Sequence, residues 1–345
     1  MRDKVVDQIL LGSQEGRKSY EFSEEHNENQ PTDMWFQKSN EGLILFIVFY
    51  TQACRWSRCL GCNLPSTCSI DHVDFQAIMN QVSCIFRDPE VLDKRYDIKK
   101  VIVSNNGSVL DEATFSTTAL MYLIAKLNKY LPALSVLCLE TRPEYVDPVE
   151  LEMLKRALGE GRTPTQLELA IGFEAYDPVI RNDHFDKGLD FEKFESFIQL
   201  VQPFGYHVKC YFMQKPVPGM TDEQAVEDVR KGIEYLANIA GTSQVNISLH
   251  LNPTYVAYGT MLEEKFKAGQ YTPPKLIDVA RAVLSGKYLS LGKKINIFVG
   301  LSDEGLAVEG GSFIRSGDEG LLGVLQAFNI DQDYDALENY LIRSA

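Results

Sequence analysis

LILFIVFYTQACRWSRCLGC, residues 43–62, runs from an unbroken apolar stretch straight into three closely spaced cysteines, Cys54, Cys59 and Cys62. The apolar half has the length and β-branched content of a strand buried on both faces, as in a parallel sheet. The cysteine half leaves from that strand's C-terminal end, the edge on which α/β barrels place their chemistry. Four of the chain's seven cysteines crowd between Cys54 and Cys68. An odd number, clustered in one loop, reads as a metal site rather than a disulfide framework.

The same alternation continues outward from this segment. Strands are expected at 43–50, 100–105, 135–140, 167–173, 207–214 and 246–252, with a seventh at 295–300. Amphipathic stretches lie between them, among them FQAIMNQVSCIF, TTALMYLIAKLNKYL, FEKFESFIQLVQPF and DEQAVEDVRKGIEYLANIA, the last opened by Thr221 as an N-cap. Strands alternating with helices give a parallel sheet. The expected fold class is therefore α/β: an incomplete (β/α)6 TIM-like barrel over residues 41–270, with an N-terminal extension over 1–40 and a C-terminal α/β extension over 271–345. EFSEEHNENQPTD (21–33) reads as a loop by its polarity and its proline.

Composition bounds the function classes. With 45% hydrophobic and 24% charged residues in 345, the chain can bury a large core and is unlike disordered, collagenous or membrane sequences. No run approaches the ~20 apolar residues of a membrane helix, and the N-terminus lacks a secretion pattern; a cytoplasmic protein without membrane attachment is expected. The formal charge of −14 gives no general attraction to polyanions.

Period-two reading of three consecutive strands puts polar residues on one face: Glu168, Ala170, Gly172 and Glu174; then His207, Lys209, Tyr211, Met213 and Lys215; then Asn246, Ser248, His250 and Asn252. A filled barrel lines its interior with Val, Ile and Leu. Converging polar faces instead imply a ligand cavity.

Cys54-x4-Cys59-x2-Cys62 supplies three thiolates, enough for three irons of a [4Fe-4S] cube with one iron left open. The competing reading is zinc held by Cys59, Cys62, Cys68 and His72, a Cys3His set without radical chemistry. Zinc ribbons sit between hairpin strands, whereas this loop follows the first strand of a βα series. Cys84, Cys138 and Cys210 fall within expected helices or strands and read as small buried side chains.

The cysteine loop resembles that of the radical S-adenosylmethionine (SAM) superfamily, and more narrowly the branch related to the elongator catalytic subunit. LETRPEYVD (139–147), LELAIGFEAYDPVIRNDHFDKGLDFEKF (167–194) and NPTYVAYGTMLEEKFKAG (252–269) are similar to that branch in order and spacing. Within it, NGSVLDE (106–112), Arg181, Lys187-Gly188 and Lys215-Pro216 look most like the radical enzymes of archaeosine formation in transfer RNA. Two departures stand out: the first cysteine gap is four residues rather than three, and Gly61 occupies a position usually aromatic. The cysteines that the archaeosine-type enzymes carry near their C-terminus are also missing from GGSFIRSGDEG (310–320).

The resemblance implies a [4Fe-4S] cluster on Cys54, Cys59 and Cys62 and SAM chelating the open iron, to be cleaved to a 5′-deoxyadenosyl radical by one electron from a donor such as flavodoxin or ferredoxin. It implies cofactor contacts from Asn106, Gly107 and Ser108 after the second strand, from Glu140 and Glu174 at strand ends, from Arg181 toward a carboxylate, and from Lys215 and Asn252 on the same edge. Arg142 stands beside Glu140 as a weaker candidate, against the reading of a rim ion pair. Trp56 is expected to shield the cluster, and His207 and His250 to be hydrogen-bonded structure. No catalytic acid or base is assigned. The substrate is either tRNA or a small molecule, and acidity favours a metabolite or modified base in a cavity lined by Lys209, Tyr211, Lys215, His250 and Asn252.

Overall fold

Runs of Val, Ile and Leu pair side by side because each buries one face under helices and satisfies its backbone through its neighbours. In the computed structural model, which describes residues 2–15, 18–23, 25–292 and 295–344, the strands are β1 (Asp33–Ser39), β2 (Gly42–Val48), β3 (Ile98–Ser104), β4 (Val136–Thr141), β5 (Gln166–Glu174), β6 (His207–Gln214), β7 (Ile247–Pro253) and β8 (Asn296–Val299). They form one sheet in sequence order. β1 is antiparallel to β2 and every later pair is parallel. The sheet is an incomplete TIM-like barrel of α/β type, as expected.

The strand parity holds residue by residue. Leu167, Leu169, Ile171 and Phe173 of β5, and Val208, Cys210 and Phe212 of β6, are fully buried with the helices in the main core. Their alternates face inward. A small apolar layer of Ile44, Ile102, Cys138 and Ala170 crosses the barrel interior, with Phe46 and Tyr211 against it.

Below that layer the floor is ionic. Lys100 on β3 is fully buried and reaches over β4 to Glu168 on β5 at 2.6 Å and back to Glu41 at 2.7 Å, while Lys209 on β6 lies 4.0 Å from Glu168. Burial opposes the charge of Glu168, but the two ammonium groups outweigh it and hold the carboxyl down to about 2.

β1 lies in a region whose sequence reads as an extension. Its MWFQKS core is short and only half-buried, so it carries little apolar signal, yet Trp35 stacks on Phe46 of β2 with centroids 4.3 Å apart. The Asn329 side chain of helix Glu319–Asp331 both donates to and accepts from the Val299 backbone, and Asn40 N–H donates to the Asn329 carbonyl, so this helix ties the β8 edge to the β1–β2 turn. The longest helix, Asp222–Ser243, opens with a capping box between Thr221 and Gln224, the N-cap expected. Among the described residues no helix is long and apolar enough to cross a membrane.

Candidate functional site

The C-terminal edge of the sheet is where the backbone departs from regular geometry. Asn106 after β3, Glu174 at the end of β5 and Lys215 after β6 all have positive φ, at 54°, 70° and 60°. Side-chain-bearing residues adopt this region at a cost, and such strain collects where an edge must aim side chains. β5 also shifts register between Gly172 and Glu174, a bulge at the same edge.

Into this edge drops the cysteine loop, pinned from several sides. Arg55 grips the Asp111 carboxylate through Nε and Nη2, tying it to the loop after β3. Trp56 Nε1 donates to the Asp186 carbonyl at 2.7 Å, and its indole lies where any Gly188 side chain would stand. The Arg142 guanidinium caps the same indole 4.5 Å from the ring centroid and holds Glu144. Leu60 N–H donates to the Phe185 carbonyl at 2.9 Å, and Asn63 Nδ2 donates to the Tyr258 carbonyl at 3.2 Å. The loop is thereby fixed to the segments after β3, β4, β5 and β7.

Cys54, Cys59 and Cys62 are half-buried here. The turn after β3 passes directly beneath the first cysteine: a Cβ on Gly107 would come within 3.2 Å of Cys54 Cα, a tight approach that glycine relieves. Gly61 packs against Leu262, whose Cδ2 would lie 3.3 Å from a Cβ placed there. Burial pushes the Cys59 thiol up to about 12, against a lowering pull from Lys187, and raises Cys62 as well. Cys68 is fully buried, with its thiol toward the carbonyls of Leu64 and Asn105, and the His72 ring lies against the Ala113 carbonyl. Among the described residues no three His, Cys, Asp or Glu side chains close on a single-ion site.

Glu174 holds Lys187 at 2.7 Å, and Gly172 leaves the space that this ammonium fills. Burial works to lower the Lys187 pKa, but Glu174 and the Cys59 thiol outweigh it and hold it above its usual value. Glu140 accepts from Tyr211 Oη at 2.7 Å in the interior, its carboxyl raised by burial. The Asn252 amide lies over Gly300, beside His250. Asn106 Nδ2 donates to Thr67 Oγ1 at 2.7 Å, and Ser108 Oγ pairs with Thr141 Oγ1 at 2.7 Å. The edge thus brings together Cys54, Cys59, Cys62, Asn106, Gly107 and Glu174, with Glu140 and Asn252 along the inner wall.

Two expected contacts lie elsewhere. Arg181 is fully buried between the Phe173 and Phe191 rings, 4.5 Å from each, and donates to the carbonyls of Ala175, Tyr176 and Leu189. It sits in a π-helical turn, Val179–His184, which carries the chain round to Lys187. The Lys215 ammonium is held by Asp222 at 2.6 Å and Thr272 at 3.3 Å. His207 lies at the opposite end of β6, against Asn246. Conversely, sequence reasoning passed over Asn105, whose buried Oδ1 has no hydrogen-bond partner among the described residues and lies 3.5 Å from where a Cβ on Gly107 would stand. An asparagine preceding an Asn-Gly turn gives no signal of its own.

No family model matches the chain. It is 27% identical over 246 residues to the archaeosine synthase subunit beta of Methanosarcina acetivorans, an alignment covering 70% of this chain and 66% of that protein, just under two thirds of the relative's length. The protein of the same name from Thermococcus kodakarensis is 23% identical over 261 residues, 74% of this chain and 75% of its own. Among solved structures, Elp3 of Methanocaldococcus infernus aligns with a TM-score of 0.52 at 15% identity, covering 74% of this chain and 58% of that one, a likeness of fold. These findings bear out the resemblance read from the cysteine loop and the segments that follow it.

Proposed function

We propose that this chain is a radical SAM enzyme in which Cys54, Cys59 and Cys62 hold a [4Fe-4S] cluster. The observation that carries the reading is the placing of three half-buried cysteines, from one loop, at the C-terminal edge of an open barrel, with the first of them on the turn through Gly107. The donor set fits the group. Three thiolates suit a cube whose fourth iron takes a cofactor, and the orphaned Asn105 Oδ1 beside Gly107 is an acceptor suited to an amino group. When bound and reduced by one electron from a small carrier such as flavodoxin or ferredoxin, the cluster and SAM supply a 5′-deoxyadenosyl radical.

The chain's own residues would then do three things. Asn105 and the Asn106-Gly107 turn receive the amino group, Lys187 sets positive charge beside Cys59, and the loop anchors keep water from the centre. The zinc alternative is disfavoured by the engagement of Cys68 and His72 with backbone carbonyls.

For the substrate we infer a base-sized heterocycle. The relatives' name refers to archaeosine, and the interior above the ionic floor offers Tyr211, His250 and Phe298 as flat faces with Glu140 and Asn252 as polar groups. The same name marks those relatives as beta subunits; for this acidic chain, a second chain supplying the phosphate contacts is the form in which tRNA would be used.

Anaerobic reconstitution tests the enzyme reading. About four irons per chain, and 5′-deoxyadenosine released with SAM and dithionite, are expected. A colourless protein with one zinc ion sinks it.

A further inference from the structure

The N-terminal helix Arg2–Glu15 and the strap 18–23 lie across the cysteine loop rather than away from it. Ile9 is fully buried with Ala53, Cys68 and Phe22. A Cβ on Gly12 would meet the Trp56 carbonyl at 2.9 Å, and Ser13 Oγ pairs with Ser57 Oγ at 3.2 Å. The strap continues from there: Lys18 N–H donates to the Ser13 carbonyl at 2.9 Å, Ser19 N–H to the Gly259 carbonyl at 2.9 Å, and Ser23 N–H to the Cys68 carbonyl at 3.3 Å. Gly259, at φ 68°, has no room for a Cβ because the Tyr20 backbone lies on it. This segment is therefore bound to the cysteine loop on one side and to the turn after β7 on the other.

Its cation is the anomaly. Lys18 Nζ is buried and, among the described residues, has no hydrogen-bond partner; its nearest ring, Tyr20, lies 5.7 Å away. Burying an ammonium without an anion is costly, and such groups persist where a counter-charge completes them. The strap that carries it is tied to the cysteine loop at Trp56, Ser57 and Cys68, and its charge pulls against the burial that raises the Cys62 and Cys59 thiols. On the opposite side Lys187 is already matched by Glu174. Of these two cations, Lys18 is the one that, among the described residues, has no anion and is left for one that arrives with the cofactors.

We propose that Lys18 compensates negative charge at the cysteine centre, so that the N-terminal strap is part of the site. This rests on the cluster reading above. The shared chemistry is an anion beside Cys62, and it has two sources: the thiolate-bound cluster itself, or the carboxylate of the SAM that chelates it.

The test uses the full chain reconstituted anaerobically, with Lys18→Met and Lys18→Arg compared for iron content, midpoint potential without SAM, and SAM affinity. With a cluster source, Lys18→Met keeps its iron but becomes harder to reduce by about tenfold in the reduction equilibrium, which is 59 mV for one electron, and Lys18→Arg restores the potential. With a carboxylate source, the potential stays and SAM binds about tenfold more weakly. If Lys18→Met loses iron while Lys18→Arg keeps it, the charge requirement stands. Loss of iron from both variants assigns Lys18 to packing and overturns the proposal, as does full iron with neither potential nor affinity moved. A wild-type chain that takes up no cluster fails at the earlier step, the cluster reading itself, and the proposal falls with it.

Discussion

The guanidinium of Arg181 is held in the core by three carbonyls through Nε and Nη1 and by two phenylalanine rings, with Nη2 buried and, among the described residues, without a partner. Arg181→Ala should therefore destabilise the fold by about 2–4 kcal/mol, the range for a lost buried network with the cavity it leaves, while a chain that still folds keeps its SAM affinity. Urea unfolding and anaerobic binding separate the two; lost affinity in a variant of normal stability would return Arg181 to the cofactor. The cysteines divide in the same way. Replacing Cys54, Cys59 or Cys62 by Ala should abolish the reconstituted cluster, whereas Cys68→Ala, a buried thiol facing carbonyls, should keep most of the iron.

His250 supplies a pH dependence. Burial first, then Lys209 and Lys100, lower its pKa to about 3, and it packs edge-on to Tyr211 beside Asn252 and Phe298. A histidine neutral in the fold and protonated when unfolded contributes stability that is full above pH 6.5 and is lost as the pH falls from 6.5 toward 3. Glu168, lowered to about 2, begins to contribute to acid lability only below 4.5. Between pH 6.5 and 4.5 Glu168 adds nothing to the loss, and the His250 share, beside that of the likewise lowered His207, amounts to about 1–2 kcal/mol by pH 5. Urea titrations of wild type and His250→Gln across that window should differ in slope; equal slopes would show the ring to be solvated.

At the scale of elements, the docking of two loops decides the site. The cysteine loop and the segment after β5 meet where the Trp56 ring lies on Gly188, at φ 67°, under the Arg142 guanidinium. Gly188→Ala adds both strain and a clash there, and should cut reconstituted iron several-fold while the far-ultraviolet circular dichroism stays that of the wild type. Unchanged iron would mean that the loop is held by Arg55–Asp111 and the Leu60–Phe185 bond alone. These contacts also mark the limit of what the sequence reveals. Strand positions from β2 to β8, the polar inner face and the three cysteines were legible, because strand parity and cysteine spacing are local signals. Pairings between distant loops are not local: Trp56 with Gly188, Ser13 with Ser57, and Arg181 turned inward by a π-helical turn leave no periodic trace. β1 escaped for a related reason, since a short half-buried edge strand takes its stability from Trp35 on Phe46 rather than from its own pattern.

For the whole molecule the question is whether a chain at −14 works on a polyanion unaided. Affinity for nucleic acid comes from Lys and Arg that neutralise phosphates and release counterions, at about −0.9 in log–log salt slope for each phosphate on a duplex. Among the described residues, Lys18 is buried and five other basic residues of this edge and its surroundings are already matched: Arg55 by Asp111, Arg58 by Asp186, Arg142 by Glu144, Lys187 by Glu174 and Lys215 by Asp222. Each phosphate contact from this set would first have to displace a carboxylate, which offsets most of the Coulombic gain. Bulk tRNA should accordingly bind the isolated chain with a Kd weaker than ~1 µM near 0.15 M salt and a slope shallower than about −3. Filter binding over a salt series measures both. Submicromolar affinity with a slope beyond about −6 would place a basic surface elsewhere on this chain and make tRNA its direct substrate, whereas weak and shallow binding requires either a free base-sized substrate or a second chain to bring the RNA.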